Sequence, residues 1–230
     1  MQTQQNTKAP STELTIRGCA HISSDPEGLA EIYNGANNLV VWGRQFTIEQ
    51  SKAISDLLAQ NQSLKLLPIQ LEDHVTPESV RSFLQQAFKR YQGVDALIDD
   101  ISDLVDMFCC LFEVEKAGLR MSMLDKAMCP KFHVDRVPCR LVTTFHGAAT
   151  EWLSHDSVDR TKLGQGSQGL ADHESGIYQD ESDVQKLVAG DVALLKGELW
   201  EGNEGAGIVH RSPRVVIEET RLMLTLDIVA

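Results

Sequence analysis

The feature that most constrains the fold is a change of texture at Gly118. Before it, apolar residues recur at helical spacing over long stretches; after it come short runs rich in Val, Leu, Ile and Thr, separated by turns. Thr47 and Gln50 form a capping box, and Ala53, Ile54, Leu57 and Leu58 continue a helix to about Gln60. Thr76 and Pro77 open a second helix, with Val80, Phe83, Leu84, Ala87, Phe88 and Tyr91 on one face until Gly93. A third apolar stripe runs from Leu97 through Ile101, Val105 and Phe108 to Phe112 and stops near Gly118. Two extended pieces, "NLVVW" at 38–42 and "LKLLPI" at 64–69, lie between these helices as strands.

Beyond Gly118 the runs "LRMSML", "RLVTTF", "TEWL", "VQKLVAG", "VALLKG", "GIVH", "RVVIEE" and "RLMLTLDIV" are mostly too short for helices. Helices first and strands second predict an α+β protein. A mainly helical layer over residues 1–118, with a few short strands, would cover one sheet of a sandwich, jelly roll or small barrel over 119–230. At 230 residues and 42% hydrophobic, the chain can bury such a core as one compact unit. No internal repeat or linker divides it.

The formal charge of -12 argues against a broad phosphate-binding surface, so no nucleic-acid partner is expected. The N-terminus lacks the apolar stretch of a signal peptide, and no run is long and apolar enough to span a bilayer. With five cysteines in no tight framework, these features predict a cytoplasmic protein without a membrane partner.

Chemistry concentrates around His133-Val134-Asp135. In a strand, residues two apart share a face, so His133 and Asp135 can converge on one point while Val134 turns away. Alone, such a pair is more often a local hydrogen bond or a solvated strand end. Seventy-five residues beyond Asp135, His210 ends another short apolar run. Brought beside the first pair, it would complete a facial triad of two histidines and one carboxylate, which leaves three positions open on non-haem Fe(II). In the last strand Arg221, Met223, Thr225 and Asp227 share one face, and Leu222, Leu224, Leu226 and Ile228 the other. The leucines would pack under the helices, and the Arg221 guanidinium, a planar fork suited to carboxylates, would point where the ligands point.

In the order His133-x-Asp135, "TEWL", "AGDVALLKG", His210 and then Arg221, residues 119–230 resemble the Fe(II)/2-oxoglutarate-dependent dioxygenase superfamily with its double-stranded β-helix. The stretches "FHVDRVPCRLVTTF", "TEWL", "LLKGE" and "VHRSP" further resemble a bacterial family of unknown function, some members of which lie in zinc-limitation gene neighbourhoods. The superfamily resemblance implies that His133, Asp135 and His210 are iron ligands and that Arg221 anchors the distal carboxylate of 2-oxoglutarate, a small-molecule co-substrate. It implies oxidative decarboxylation to succinate and carbon dioxide, coupled to oxidation of an unidentified substrate. Arg214 and Arg140 are the substitutes for Arg221, and Arg211 is read as structural. Two rivals stay open: a non-enzymatic protein that holds zinc on the same three residues, linked to metal homeostasis, and a scaffold with an empty barrel.

Other polar clusters have plainer readings. Cys129 and Cys139 flank the ligand pair at a separation unlike a zinc finger, and Cys109-Cys110 falls in a helical stripe, so all four read as packing. Cys19-x-His21 is isolated, and His146, His155 and His173 sit near turns. Ser154-His155-Asp156 names a hydrolase triad, but three consecutive residues rarely reach the relay geometry. Gly164-x-Gly166-x-x-Gly169 matches a dinucleotide fingerprint without the strand and helix that give it meaning, so it reads as a loop, either a lid over the pocket or an exposed insertion. Trp152 and Trp200 read as core, and alternation leaves the side of Glu151 undecided.

Overall fold

A computed structural model describes residues 18–63, 69–213 and 220–229. The strand expected at 214–219 and Arg214 lie outside these residues, as does all of "LKLLPI" except Ile69. The fold is a mixed α+β arrangement of two sheets and a helical layer. Ten strands are described: β1 (Cys19–Ser23), β2 (Asn37–Trp42), β3 (Gln70–Val75), β4 (Ala117–Leu124), β5 (Cys139–His146), β6 (Glu151–Leu153), β7 (Val184–Lys186), β8 (Val192–Lys196), β9 (Val209–Arg211) and β10 (Arg221–Ile228). Seven form a sheet in the order β1-β2-β8-β5-β10-β4-β3, and three form a second in the order β7-β6-β9. The β1–β2 pair is parallel; the other pairs in both sheets are antiparallel.

Three helices cover the large sheet: α1 (Ile48–Ser63), α2 (Pro77–Ala87) and α3 (Asp95–Phe112). The Gln50 amide donates to Thr47 Oγ1 at 3.1 Å and the Thr47 amide to Gln50 Oε1 at 2.9 Å, so the capping box read from the sequence opens α1. Thr76 caps α2 by the same exchange with Ser79, with Pro77 in the first turn. Two helix ends fall earlier than the apolar pattern suggests. α2 stops at Ala87, with Phe88 in a non-helical conformation, although Phe88 stays buried and Tyr91 packs beside the same core. α3 stops at Phe112 because Glu113 turns left-handed at φ 52°, which frees Val114 to Lys116 to lead into β4. Among the described residues no helix is long and apolar enough to cross a membrane.

Strands also begin earlier in the chain than a helices-then-strands order suggests. β1 and β3 carry no long apolar run, and both lie at edges of the large sheet, where one neighbour suffices. β10 lies between β4 and β5, and its alternation sets the layers. Leu222, Leu224 and Leu226 face the helices in the main core, with Leu97, Ile101, Leu104 and Phe108 of α3. At roughly 1.5–3 kcal/mol for each fully buried leucine, this face is a principal clamp between layers. The opposite face of the sheet meets the small sheet. Leu39, Val41, Val142, Ala193 and Leu195 cluster there with Ile208, and Trp152 and Met223 pack against them. A third cluster, including Phe132, Leu153, Ile177, Tyr178 and Val209, lies on the outer side of the small sheet beneath residues 155–183.

Candidate metal centre

His133 lies in no regular strand, yet it pairs with β9 by a single antiparallel bridge to His210. Each amide donates to the other's carbonyl at 3.0 Å. Residues paired across an antiparallel ladder project to the same face, so the bridge sets both imidazoles side by side, with ring centroids 4.6 Å apart. Asp135, two residues on, completes the group: its Oδ1 lies 3.5 Å from His133 Nε2 and its Oδ2 3.4 Å from His210 Nε2. One donor atom from each of the three falls within 4.8 Å of the others, the spacing that ligands around one ion require.

The backbone fixes which ring nitrogens face this point. His133 Nδ1 lies 2.9 Å from the Lys131 carbonyl and His210 Nδ1 3.2 Å from the Ile208 carbonyl. A carbonyl only accepts, so each neutral imidazole carries its proton on Nδ1 and presents the Nε2 lone pair inward. Burial disfavours the charged form of His133, but the Asp135 carboxylate and the Lys131 carbonyl outweigh it and raise its pKa. Asp135 is held far below the usual carboxylate range. Burial opposes this, and both imidazoles and the Arg140 guanidinium overcome it.

The main chain at Asp135 is pinned by the turn after β8. The amides of Glu198 and Leu199 donate to the carbonyls of Asp135 and Val137, and Gly197 donates to Pro138. This accounts for the glycine of "LLKGE": a side chain at 197 would collide with the loop that carries Asp135.

His133 and His210 border a narrow pocket of about 70 Å³ between the sheets, also lined by Ser122, Val142, Thr150, Leu195, Arg221 and Met223. Arg221 is 2% exposed. Its Nη2 donates to Thr150 Oγ1 at 3.0 Å and Thr144 Oγ1 at 3.3 Å, while its Nε has no partner. Among the described residues it meets no carboxylate, and burial lowers its pKa to about 10, so it stays charged at neutral pH. Ser122 Oγ and Thr225 Oγ1 are also buried without partners among the described residues and open on the same pocket. Three unsatisfied polar groups around one cavity mark it as a place for a polar occupant. A wider concavity of about 760 Å³ lies on the outer side of the small sheet, by Glu151, Tyr178, Lys186 and Arg211, and none of the triad lines it.

The two other arginines are committed elsewhere. Arg140, considered as a substitute anchor, donates to Asp135 and, through Nε and Nη2, to both oxygens of Asp227 at 2.7 and 2.8 Å. Arg211 turns to the outer side, where Nε meets Glu151 at 2.8 Å and Nη1 meets Asp172 at 2.8 Å, and its guanidinium stacks over Phe132. That contact settles the side of Glu151. It also ties residues 155–183 to the small sheet, because Asp172 accepts from the Phe132 amide as well. The Gly164–Gly169 stretch within this segment forms short 3-10 turns rather than a strand followed by a long helix.

Sequence reasoning missed the threonines under Arg221, the unpaired Ser122 and the role of Gly197. Their signal is positional: Thr144 lies opposite Met223 in the β5–β10 register, and no pattern of residue types reveals that pairing. Of the flanking cysteines, Cys139 is buried in the main core and Cys129 is exposed at the pocket. The adjacent pair splits, with Cys109 buried and Cys110 exposed, contrary to a core reading for both, because neighbours on a helix point about 100° apart. Trp152 and Trp200 pack against the apolar clusters.

Fold and site together define a two-sheet α+β chain with a histidine-aspartate-histidine constellation between its sheets. The chain belongs to the family described as "Protein of unknown function (DUF1826)", which it matches over residues 23–227. No curated protein matches it in sequence. Among solved structures it is similar to a dioxygenase for auxin oxidation from rice, at 10% identity and a TM-score of 0.48, covering 92% of this chain and 82% of that one. It is also similar to a Pseudomonas putida prolyl-4-hydroxylase, at 10% identity and 0.46, covering 88% and 96%. A third likeness is to HygX from Streptomyces hygroscopicus with nickel and 2-oxoglutarate bound, at 12% identity and 0.45, covering 87% and 84%.

Proposed function

We propose that the protein is a metal-dependent oxygenase of the Fe(II)/2-oxoglutarate type, acting on a small molecule or a protein. The observation that carries this reading is the convergence of one donor atom each from His133, Asp135 and His210 beside a buried arginine that meets no carboxylate among the described residues. Two imidazoles and one carboxylate suit Fe(II) and leave three positions open, and the orphaned Arg221 Nε suits an anionic co-substrate, so the residues fit the group. The large and small sheets are then the two sheets of a double-stranded β-helix. Residues 119–230 supply most of that core, and residues 1–118 supply the helical covering layer together with β1, β2 and β3 of the large sheet, in one compact unit.

His133 and His210 would hold the metal through Nε2 and Asp135 through a carboxylate oxygen. When bound, Fe(II) and 2-oxoglutarate would supply, with dioxygen as the oxidant, the oxidative decarboxylation that gives succinate and carbon dioxide and leaves one oxygen atom to oxidise a substrate C–H bond. Arg221 anchors the distal carboxylate of the co-substrate, and Thr144 and Thr150 hold its guanidinium toward the pocket. Val142, Leu195 and Met223 keep the pocket wall apolar, which strengthens the charge contact at Arg221.

The test is metal selection. Protein purified without oxygen and freed of metal should take up one equivalent of Fe(II), lose that uptake in His210→Ala, and release succinate from 2-oxoglutarate in air. Retention of zinc against excess Fe(II), with no succinate, contradicts the oxygenase and leaves a zinc-binding protein.

A further inference from the structure

We propose that Arg140, braced by Asp227, is a positioning residue that holds Asp135 as a one-oxygen metal ligand. The inference rests on the metal-centre reading above and concerns two residues which that reading does not use. Arg140 and Asp227 are direct cross-strand partners of β5 and β10, on the face that looks into the pocket. Asp227 grips one edge of the guanidinium with both oxygens, at 2.7 and 2.8 Å. A planar fork held along one edge has its remaining N–H directions set as well. The free corner, Nη1, donates to Asp135 Oδ2 at 2.6 Å.

Asp135 is therefore held at both ends. Its carbonyl accepts from the Glu198 amide at 2.9 Å, and its Oδ2 is tied through Arg140 to the central strand of the large sheet. Both oxygens lie near an imidazole, Oδ1 3.5 Å from His133 Nε2 and Oδ2 3.4 Å from His210 Nε2, but only Oδ2 has a lone pair taken up by Arg140, which leaves Oδ1 as the oxygen free for an ion. This matters for the count of open positions. Two imidazoles and one carboxylate oxygen occupy three of six sites, whereas a chelating carboxylate would take a fourth and leave too few for a bidentate keto acid and a further ligand. The clamp also sets the local charge. Asp135 and Asp227 together carry two negative charges and Arg140 one positive, so the group as a whole offers the ion a single negative charge.

The test uses Co(II), whose visible absorption reports the number and geometry of its ligands. The metal-free full chain is titrated with Co(II) as wild type, as Arg140→Gln/Asp227→Asn, which removes both charges and keeps polar side chains at both positions, and as Arg140→Lys. The double variant should bind Co(II) about 10–100-fold more weakly and show a changed band, while its metal-free melting temperature stays close to wild type. Arg140→Lys, with charge but no fork, should recover part of the affinity and not the wild-type band. Wild-type affinity and an unaltered band in the folded double variant overturn the proposal. If the double variant does not fold, Asp227→Asn alone carries the test, because it leaves Arg140 one acceptor: a several-fold loss of Co(II) affinity supports the clamp and no loss overturns it. Failure of the metal centre itself looks different, since wild type and His210→Ala would then take up Co(II) equally.

Discussion

Gly197 packs so tightly against the loop of Asp135 that a methyl group on its Cα would lie 2.6 Å from the Asp135 carbonyl oxygen and 2.2 Å from that of Val137. Both atoms are backbone, so relief requires the loop itself to move. Gly197→Ala should destabilise the fold by about 1–3 kcal/mol and weaken metal binding by displacing Asp135. Gly35→Ala, where the added methyl meets nothing within 4 Å, serves as the control. Thermal melts and a Co(II) titration of the two variants check this. Equal behaviour would remove the close approach as the reason for glycine.

Arg221 should be costly to the empty protein and essential to the loaded one. Among the described residues its buried charge meets two hydroxyl acceptors and no carboxylate, so Arg221→Met, similar in volume, should leave the melting temperature of the ligand-free protein unchanged or higher. The same variant should bind Co(II) like wild type and lose measurable 2-oxoglutarate affinity. A variant several degrees less stable, or one that still binds 2-oxoglutarate, contradicts the assignment.

Asp172 fastens residues 155–183 to the small sheet through Arg211 and the Phe132 amide. Asp172→Ala leaves Arg211 its contact with Glu151, so the expected loss is about 1.5–3 kcal/mol, the range for hydrogen bonds to charged groups. Limited proteolysis should find new cleavage within 155–183 before the rest of the chain is cut. Cleavage spread evenly over the chain would mean that the tether is not local.

A proton on His133 would compete with a metal held there. Its folded pKa is raised above 6.5, so the charged form contributes stability to the metal-free protein that is fully present below the unfolded value and is lost as pH rises through the folded one. Metal requires the neutral ring, so Co(II) affinity should begin to fall at a higher pH than for an ordinary imidazole as the solution is acidified. Melts of the metal-free protein and Co(II) titrations across neutral pH should therefore slope in opposite directions. His133→Gln should flatten the melts.

Much of this was legible in the sequence because strand alternation is a short-range rule. The two faces of β10 followed from its residues, and Leu222, Leu224 and Leu226 do pack under the helices while Arg221 faces the pocket. The meeting of His133 and Asp135 with His210 was legible as a His-x-Asp pair and a distant histidine ending a short apolar run, but the single bridge that sets it, outside any regular strand, was not. The commitments of Arg140 and Arg211 depend on register between β5 and β10 and between β6 and β9, which residue types alone leave open. β1 and β3 escaped because edge strands need little apolar surface, and the early end of α3 escaped because a glutamate, not a glycine, takes the left-handed turn.

The central claim is that the two imidazoles and Asp135 hold an iron whose co-substrate reaches Arg221. Its most direct test is an oxygen-free titration of the metal-free protein with Fe(II) and then 2-oxoglutarate, followed by visible absorption. The account predicts a weak charge-transfer band that grows to one equivalent of 2-oxoglutarate, is absent without Fe(II), and is lost in Arg221→Met. A band of wild-type strength in that variant, or no band in the wild type with Fe(II) bound, would contradict it.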